Sequence, residues 1–344
     1  MACVAGLGAC SGGAANAPTR TVTVEGVDYQ IPENVEKVAP AIGSMVQMTA
    51  MIAGEKPVIA AAPTQQISDR FKQVLPAYEK GNPNGNDTSN LEQVISSGAQ
   101  VVYAPGPLFS DEQKKQLADA GITFVAINGL DSVDAICSTV ESIGQILGGD
   151  MADKAAAFSE FWKGNVKDAQ KRTSKLKDSE KPKVLNIAYS NGAWTTEAGE
   201  SLVNSYIEAA GGNAVSKDYV AKEAENSGQG KAGNTLDEEQ IVTWNPDYII
   251  TYSAEATEQL LGSKALASVN AVKNKHVYTS PKGLYLWAVR SGEGSLMAPW
   301  IGTKINADLF DDIDMKQMVQ DFFKTYYAYD LSDADAEAIL DGTY

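Results

Sequence analysis

Two stretches of this chain read as the same module 147 positions apart (239 minus 92): Glu92-Gln93-Val94-Ile95 leads to Val101-Val102, and Glu239-Gln240-Ile241-Val242 leads to Tyr248-Ile249. In each copy a short apolar helix opens behind a capping-box pattern, Ser89 with Glu92 and Thr235 with Glu238. The helix breaks at Gly98 or at Asn245-Pro246 and feeds a β-branched run that reads as a buried strand. A second pair repeats nearly in register. Lys37-Val38 runs through Ile42 to Ser44, and Lys183-Val184 runs through Ile187 to Ser190, so each half is expected to begin with a strand that ends at a serine. Two α/β halves of similar build imply a cleft between them, because ligands of open parallel sheets sit beyond the carboxyl ends of the strands.

Length and charge agree with two lobes and narrow the partners. A chain of 344 residues exceeds the size at which one core keeps growing. The formal charge of −16, with only four arginines, argues against nucleic acid or an anionic membrane surface, since both depend on concentrated Lys and Arg. No apolar run reaches the roughly 18 to 20 residues of a spanning helix. The N-terminus is patterned as an address: Leu7-Gly8-Ala9-Cys10 before Ser11-Gly12-Gly13 looks like a bacterial lipobox, with Cys10 lipidated and a flexible tether behind it. Cys137, in helical register with Ile136, Val140 and Ile143, reads as core.

Between the halves lies the most helical part of the chain. Asp150 reads as an N-cap, and Phe158, Phe161, Trp162, Val166 and Ala169 keep one apolar face of a helix expected to reach about Leu176. A single rigid connection of this kind predicts a modest hinge motion. The expected division is therefore a tether over 1–18, a first α/β lobe over 19–149, a connecting helix over 150–178, and a second α/β lobe over 179–344. The last of these closes with helices over 311–340, where Met315, Met318, Val319, Phe322 and Phe323 share a face and Ser332 caps against Asp335.

Signals for catalysis are poor. The only histidine is His276, ahead of a strand-like run, and no nucleophile elbow accompanies it. One histidine also argues against a bare zinc or manganese site, as such sites usually take two or three imidazoles. Gly228-x-Gly230-x-x-Gly233 matches a dinucleotide fingerprint by letter, but no strand precedes it, and Asp237, Glu238 and Glu239 open the following helix where a pyrophosphate would sit. No catalytic residue, metal ligand or cofactor is assigned. Candidate ligand contacts are the residues at expected strand ends: Ser44, Tyr103 and Pro105 in the first half, and Ser190, Asn191, Trp194, Tyr285, Trp287 and Arg290 in the second. Trp194, Tyr285 and Trp287 would make a flat apolar wall. Arg290, the only arginine after Arg172, would grip a carboxylate or catecholate.

At these residues the chain resembles the extracytoplasmic solute-binding proteins that serve ABC importers for iron-siderophore complexes, haem and cobalamin. The resemblance spans Val35 to Leu340. It rests chiefly on Leu91-Glu92 through Val102, Ala198-Gly199-Glu200-Ser201-Leu202 through Gly211-Gly212-Asn213, Trp244-Asn245-Pro246-Asp247-Tyr248-Ile249-Ile250, and Val269 to Tyr278 before Pro281-x-Gly283. It implies two Rossmann-like lobes with mainly parallel sheets, joined by one long helix around an interlobe cleft, and no enzymatic activity. It further implies a monomeric, lipid-anchored protein outside the cytoplasmic membrane that hands a small ligand to a permease. Docking carboxylates are expected at Glu200 and, in the first lobe, at Glu79. The implied cargo is an iron(III)-siderophore or similar metal chelate; the alternatives are an oxyanion such as molybdate or tungstate, or haem or a corrinoid, and the rival from another class is an enzyme on a duplicated α/β scaffold.

Overall fold

The computed structural model describes residues 18–220 and 234–344. Cys10 and the Gly228-x-Gly230-x-x-Gly233 run lie outside the described residues. An antiparallel hairpin, β1 (Thr19–Val24) and β2 (Val27–Pro32), precedes a parallel sheet of β3 (Val38–Pro40), β4 (Val101–Ala104) and β5 (Thr123–Ala126), in that order. The second half contains β6 (Lys183–Ser190), β7 (Ala193–Thr196), β8 (Asn213–Ala214), β9 (Asn234–Leu236), β10 (Tyr248–Thr251) and β11 (Val277–Thr279). Its order is β11-β10-β6-β7-β9, with β8 also paired to β6.

The repeat read from the sequence is a repeat of topology. β4 lies parallel to β3 with Val101 opposite Val38, and β10 lies parallel to β6 with Tyr248 opposite Val184. Each then pairs outward with the next parallel strand, β5 or β11. The β-branched runs are buried on both faces, as parallel strands under helices must be. Val101 and Tyr103 join the central core while Val102 and Ala104 join a satellite core on the other face. Val184 and Ile250 do the same against Leu185, Ile187 and Ile249 in the second half.

Local details differ from the sequence reading in four places. The helix Leu91–Ser96 is capped by Asn90, whose side chain accepts from Glu92 N and Gln93 N, rather than by Ser89. Helix Glu238–Trp244 is capped by Asp237, and Thr235 lies in β9. In both cases a short Asn or Asp directly before the helix reaches the free N–H groups better than a hydroxyl further back. β3 ends at Pro40, so Ser44 sits in the first turn of the helix Gly43–Ala53 rather than at a strand end; Ser190 does end β6. Asp150 is the first residue of its helix, not its cap, and its carboxylate pairs with Lys56 at 2.6 Å and Lys154 at 3.2 Å.

The connecting helix spans Asp150–Thr173, and buries Met151, Ala155, Phe158, Trp162 and Ala169. That spacing keeps one stripe turned inward. Phe158 meets Trp162 at 5.7 Å and, from the C-terminal helix Met315–Tyr327, Tyr326 at 5.1 Å. The central core holds residues of both halves around this helix, including Cys137. Ser332 caps the final helix Asp333–Leu340 by accepting from Asp335 N.

Candidate functional site

A cavity of about 440 Å³ is lined by Leu130 and Asp131 from the first half and by Glu197, Ala198, Glu200, Ser201, Leu202 and the 288–290 segment, which ends at Arg290, from the second. Its first wall hangs on Glu25, at the β1–β2 turn. The Glu25 carboxylate accepts from Asn128 N at 2.7 Å, Gly129 N at 2.8 Å and Asn128 Nδ2 at 2.9 Å. Burial alone would raise this carboxyl, but the bonds from Asn128 and Gly129 outweigh it and hold it below its ordinary value.

The second wall hangs on Asn186, a fully buried amide in the middle of β6. Asn186 Nδ2 donates to Asn204 Oδ1 at 2.7 Å, and Asn186 Oδ1 accepts from Glu197 N at 3.0 Å. The Glu197 carbonyl in turn accepts from Ser216 Oγ at 2.9 Å and Asn204 Nδ2 at 3.3 Å. The backbone of Glu197 is thereby fixed. Its half-buried carboxylate has no hydrogen bond or ion pair among the described residues. Burial pushes the Glu197 carboxyl up, and the nearby Arg290 charge draws it partly back. Arg290 itself is exposed and likewise has no ion pair or hydrogen bond among the described residues.

Tyr285 joins the halves. Its ring lies against Gly43, where an added Cβ would come within 3.2 Å of Tyr285 Cε2, and Gly43 N donates to Gln66 Oε1 at 2.7 Å. Burial raises the Tyr285 phenol and Arg290 lowers it, so the two side chains lie within electrostatic reach.

The other sequence candidates separate. Ser190 and Asn191 are exposed at the tip of a β6–β7 hairpin whose Asn191-Gly192 turn has φ of 53° and 79°, the paired positive values that an Asn-Gly turn supplies. Pro105 is half-buried just beyond β4. The expected aromatic wall is corrected for both tryptophans. Trp194 is 7% exposed and packs on Tyr189, ring centroids 4.5 Å apart, inside the core of the second half. Trp287 is fully buried, its indole N–H donating to Glu293 Oε2 at 3.0 Å. Ser44 and Tyr103 are buried as well, and the Tyr103 hydroxyl bonds to Thr49 Oγ1. Trp194, Trp287 and Tyr103 each find a partner in Tyr189, Glu293 or Thr49, which lowers their free energy more than exposure in a cleft. Glu79 is exposed on the short helix Ala77–Gly81, and Glu200 is exposed and paired with Lys217 at 3.0 Å.

Sequence reasoning missed Glu197, Asp131 and the Asn186 brace. A signal for the last was present: an Asn interrupts the apolar run Val184-Leu185-Asn186-Ile187. His276 does not line the cavity; it stacks on Tyr248 at 4.6 Å, and its Nδ1 lies 3.2 Å from the Asp247 carbonyl oxygen.

Two α/β lobes, one on a parallel and one on a mixed sheet, a long connecting helix and a cavity between the halves define a solute-binding architecture. The profile of the family described as periplasmic binding protein matches residues 41–284, and the chain belongs to that family. Its relatives include an uncharacterized ABC transporter substrate-binding lipoprotein, YvrC, of Bacillus subtilis, 26% identical over 73% of this chain and 74% of that protein. The molybdate-binding protein MolA of Haemophilus influenzae is 20% identical over 86% of this chain and 87% of its own length. A cobalamin-binding protein of Halobacterium salinarum is 25% identical over 56% of this chain and 48% of its own. Among solved structures, a periplasmic solute binding protein from Veillonella parvula superposes with a TM-score of 0.77 at 25% identity, covering 94% of this chain and 97% of that one. This protein is an ABC transporter substrate-binding protein that acts outside the cytoplasm, and not an enzyme.

Proposed function

We propose that the protein captures an iron(III)-siderophore or similar organic metal chelate between its lobes and delivers it to the permease of its importer. The observation that carries this reading is the size of the cavity. Its volume of about 440 Å³ falls in the range of roughly 300–1,000 Å³ typical of sites for organic ligands, far more than a tetrahedral oxyanion fills. Among the described residues no group of three or more His, Cys, Asp or Glu side chains is placed to hold a metal ion, which favours a metal that arrives in its own chelate.

One observation favours an oxyanion instead: Arg290 stands in the cavity without an ion pair among the described residues, and MolA, a relative, is a molybdate-binding protein. In the full reading Cys10 carries a lipid anchor, Glu79 and Glu200 dock on the permease, and the protein acts as a monomer. The division at 149/150 and 178/179 treats the connecting helix as a hinge between the lobes, supported by its position in the chain between the two sheets.

A thermal-shift screen of residues 19–344 against ferric siderophores, haem, cobalamin, molybdate and tungstate tests the reading. Ligand at about 100 times its Kd adds roughly 2.7 kcal/mol of stability and raises the melting point visibly. A shift with an organic chelate supports the proposal; a shift confined to molybdate or tungstate replaces it with the oxyanion reading.

A further inference from the structure

Glu197 and Arg290 carry opposite charges into one cavity and do not pair with each other. That is unusual for a half-buried carboxylate, which is costly to leave without a partner. The Glu197 side of the cavity is fixed, since three side chains, Asn186, Asn204 and Ser216, hold the Glu197 backbone on both its N–H and its carbonyl. The brace fixes the Glu197 backbone where this residue lines the cavity, and the carboxylate keeps its acceptor sites without a partner among the described residues. Arg290 leaves its N–H donors free on the same cavity, and Asp131 adds a second negative charge from the opposite lobe.

We propose that Glu197 is the residue that sets the cargo class: the cavity takes an amphoteric organic chelate whose acidic group meets Arg290 and whose N–H or O–H donor meets Glu197, and it disfavours a bare divalent oxyanion. This rests on the importer reading above and sharpens it. A divalent anion gains attraction from one exposed guanidinium but meets repulsion from exposed Asp131 and from half-buried Glu197, whose charge is screened less than one in open water. A chelate that presents a donor to Glu197 turns the same carboxylate into a charge-assisted hydrogen bond.

The test is the affinity of the whole soluble chain for sodium molybdate, measured by calorimetry for the wild type, Glu197→Gln and Glu197→Ser. Both substitutions remove the charge and leave the backbone brace intact, so the second covers a failure of the first to fold. The expected result is that molybdate binds at least tenfold more tightly once the charge is gone. A smaller gain overturns the inference, and so does molybdate binding by neither wild type nor variants. The importer reading is tested separately by the wild type with ferric siderophores: chelate binding with a flat molybdate ratio sinks only the role of Glu197, and a tenfold molybdate ratio without chelate binding sinks only the chelate reading.

Discussion

The Tyr327 hydroxyl donates to Glu293 Oε1 at 2.8 Å, and both side chains are buried. Tyr327 ends the helix Met315–Tyr327, while Glu293 lies just past Arg290 in the segment that carries the cavity wall. Leu284 N and Trp287 Nε1 donate to the same carboxylate, each at 3.0 Å, and Gln47 Nε2, from the first half, reaches it at 3.4 Å. No cation pairs with it among the described residues. This acid ties both halves and the loop bearing Tyr285 to one point.

Burial pushes the Glu293 carboxyl up to about 7, although its donors oppose the shift. A carboxyl titrates near about 4.3 when unfolded, so the folded state holds its proton more tightly. By linkage that contribution to stability is fully present below about pH 4 and is lost as pH rises through about 7. The urea midpoint is expected to fall between about pH 5.5 and about pH 8 in the wild type, and to stay flatter in Glu293→Gln. A wild-type midpoint that rises across this interval disproves the assignment.

Asn186→Ala removes the brace under Glu197 and leaves Asn204 Oδ1 and Glu197 N without their buried partner. A loss of about 3 kcal/mol is expected from denaturant unfolding, together with weaker binding of any ligand that contacts Glu197. Loss of stability with unchanged affinity would show that the brace serves the fold alone.

Arg290→Ala should leave stability within about 0.5 kcal/mol, because the side chain is exposed and has no ion pair among the described residues. The ligand identified by the thermal screen is expected to lose about 1.5–3 kcal/mol of affinity, roughly 10- to 150-fold, which titration calorimetry reads directly. Unchanged affinity removes Arg290 from the site.

Glu79 does not line the cavity, so its charge can be reversed without touching the ligand. With Glu79→Lys, ligand affinity is expected to stay constant while stimulation of the cognate transporter's ATPase activity in liposomes drops severalfold. Full stimulation by this variant would place the first-lobe docking carboxylate elsewhere.

Phe158→Ala opens a hole where the connecting helix meets the C-terminal helix, and a cost of about 3–5 kcal/mol is expected by urea unfolding. A cost below about 1 kcal/mol would mean that the two helices close over the gap.

How much of this was legible beforehand follows from the range of each interaction. The helix–strand module at Glu92 and Glu239 could be read directly, because apolar periodicity and a helix-ending Gly98 or Asn245 are local properties, with φ of 78° and 44° in the structure. The caps were misplaced by one residue at Ser89 and by two at Thr235, since several capping side chains stand close together and only geometry chooses among them. The tryptophans were beyond reach for a different reason. Whether Trp287 faces a cleft or a core depends on Glu293, and Glu293 is in turn held by Gln47, 246 positions away.

The sequence by itself determined the two α/β halves and the helix between them, because these rest on periodicity and composition. The tertiary structure decided which polar groups are left free. Glu197 and Arg290 form the cavity, and Trp194, Trp287 and Tyr103 do not, because exposure and pairing are set by long-range packing that no local pattern encodes.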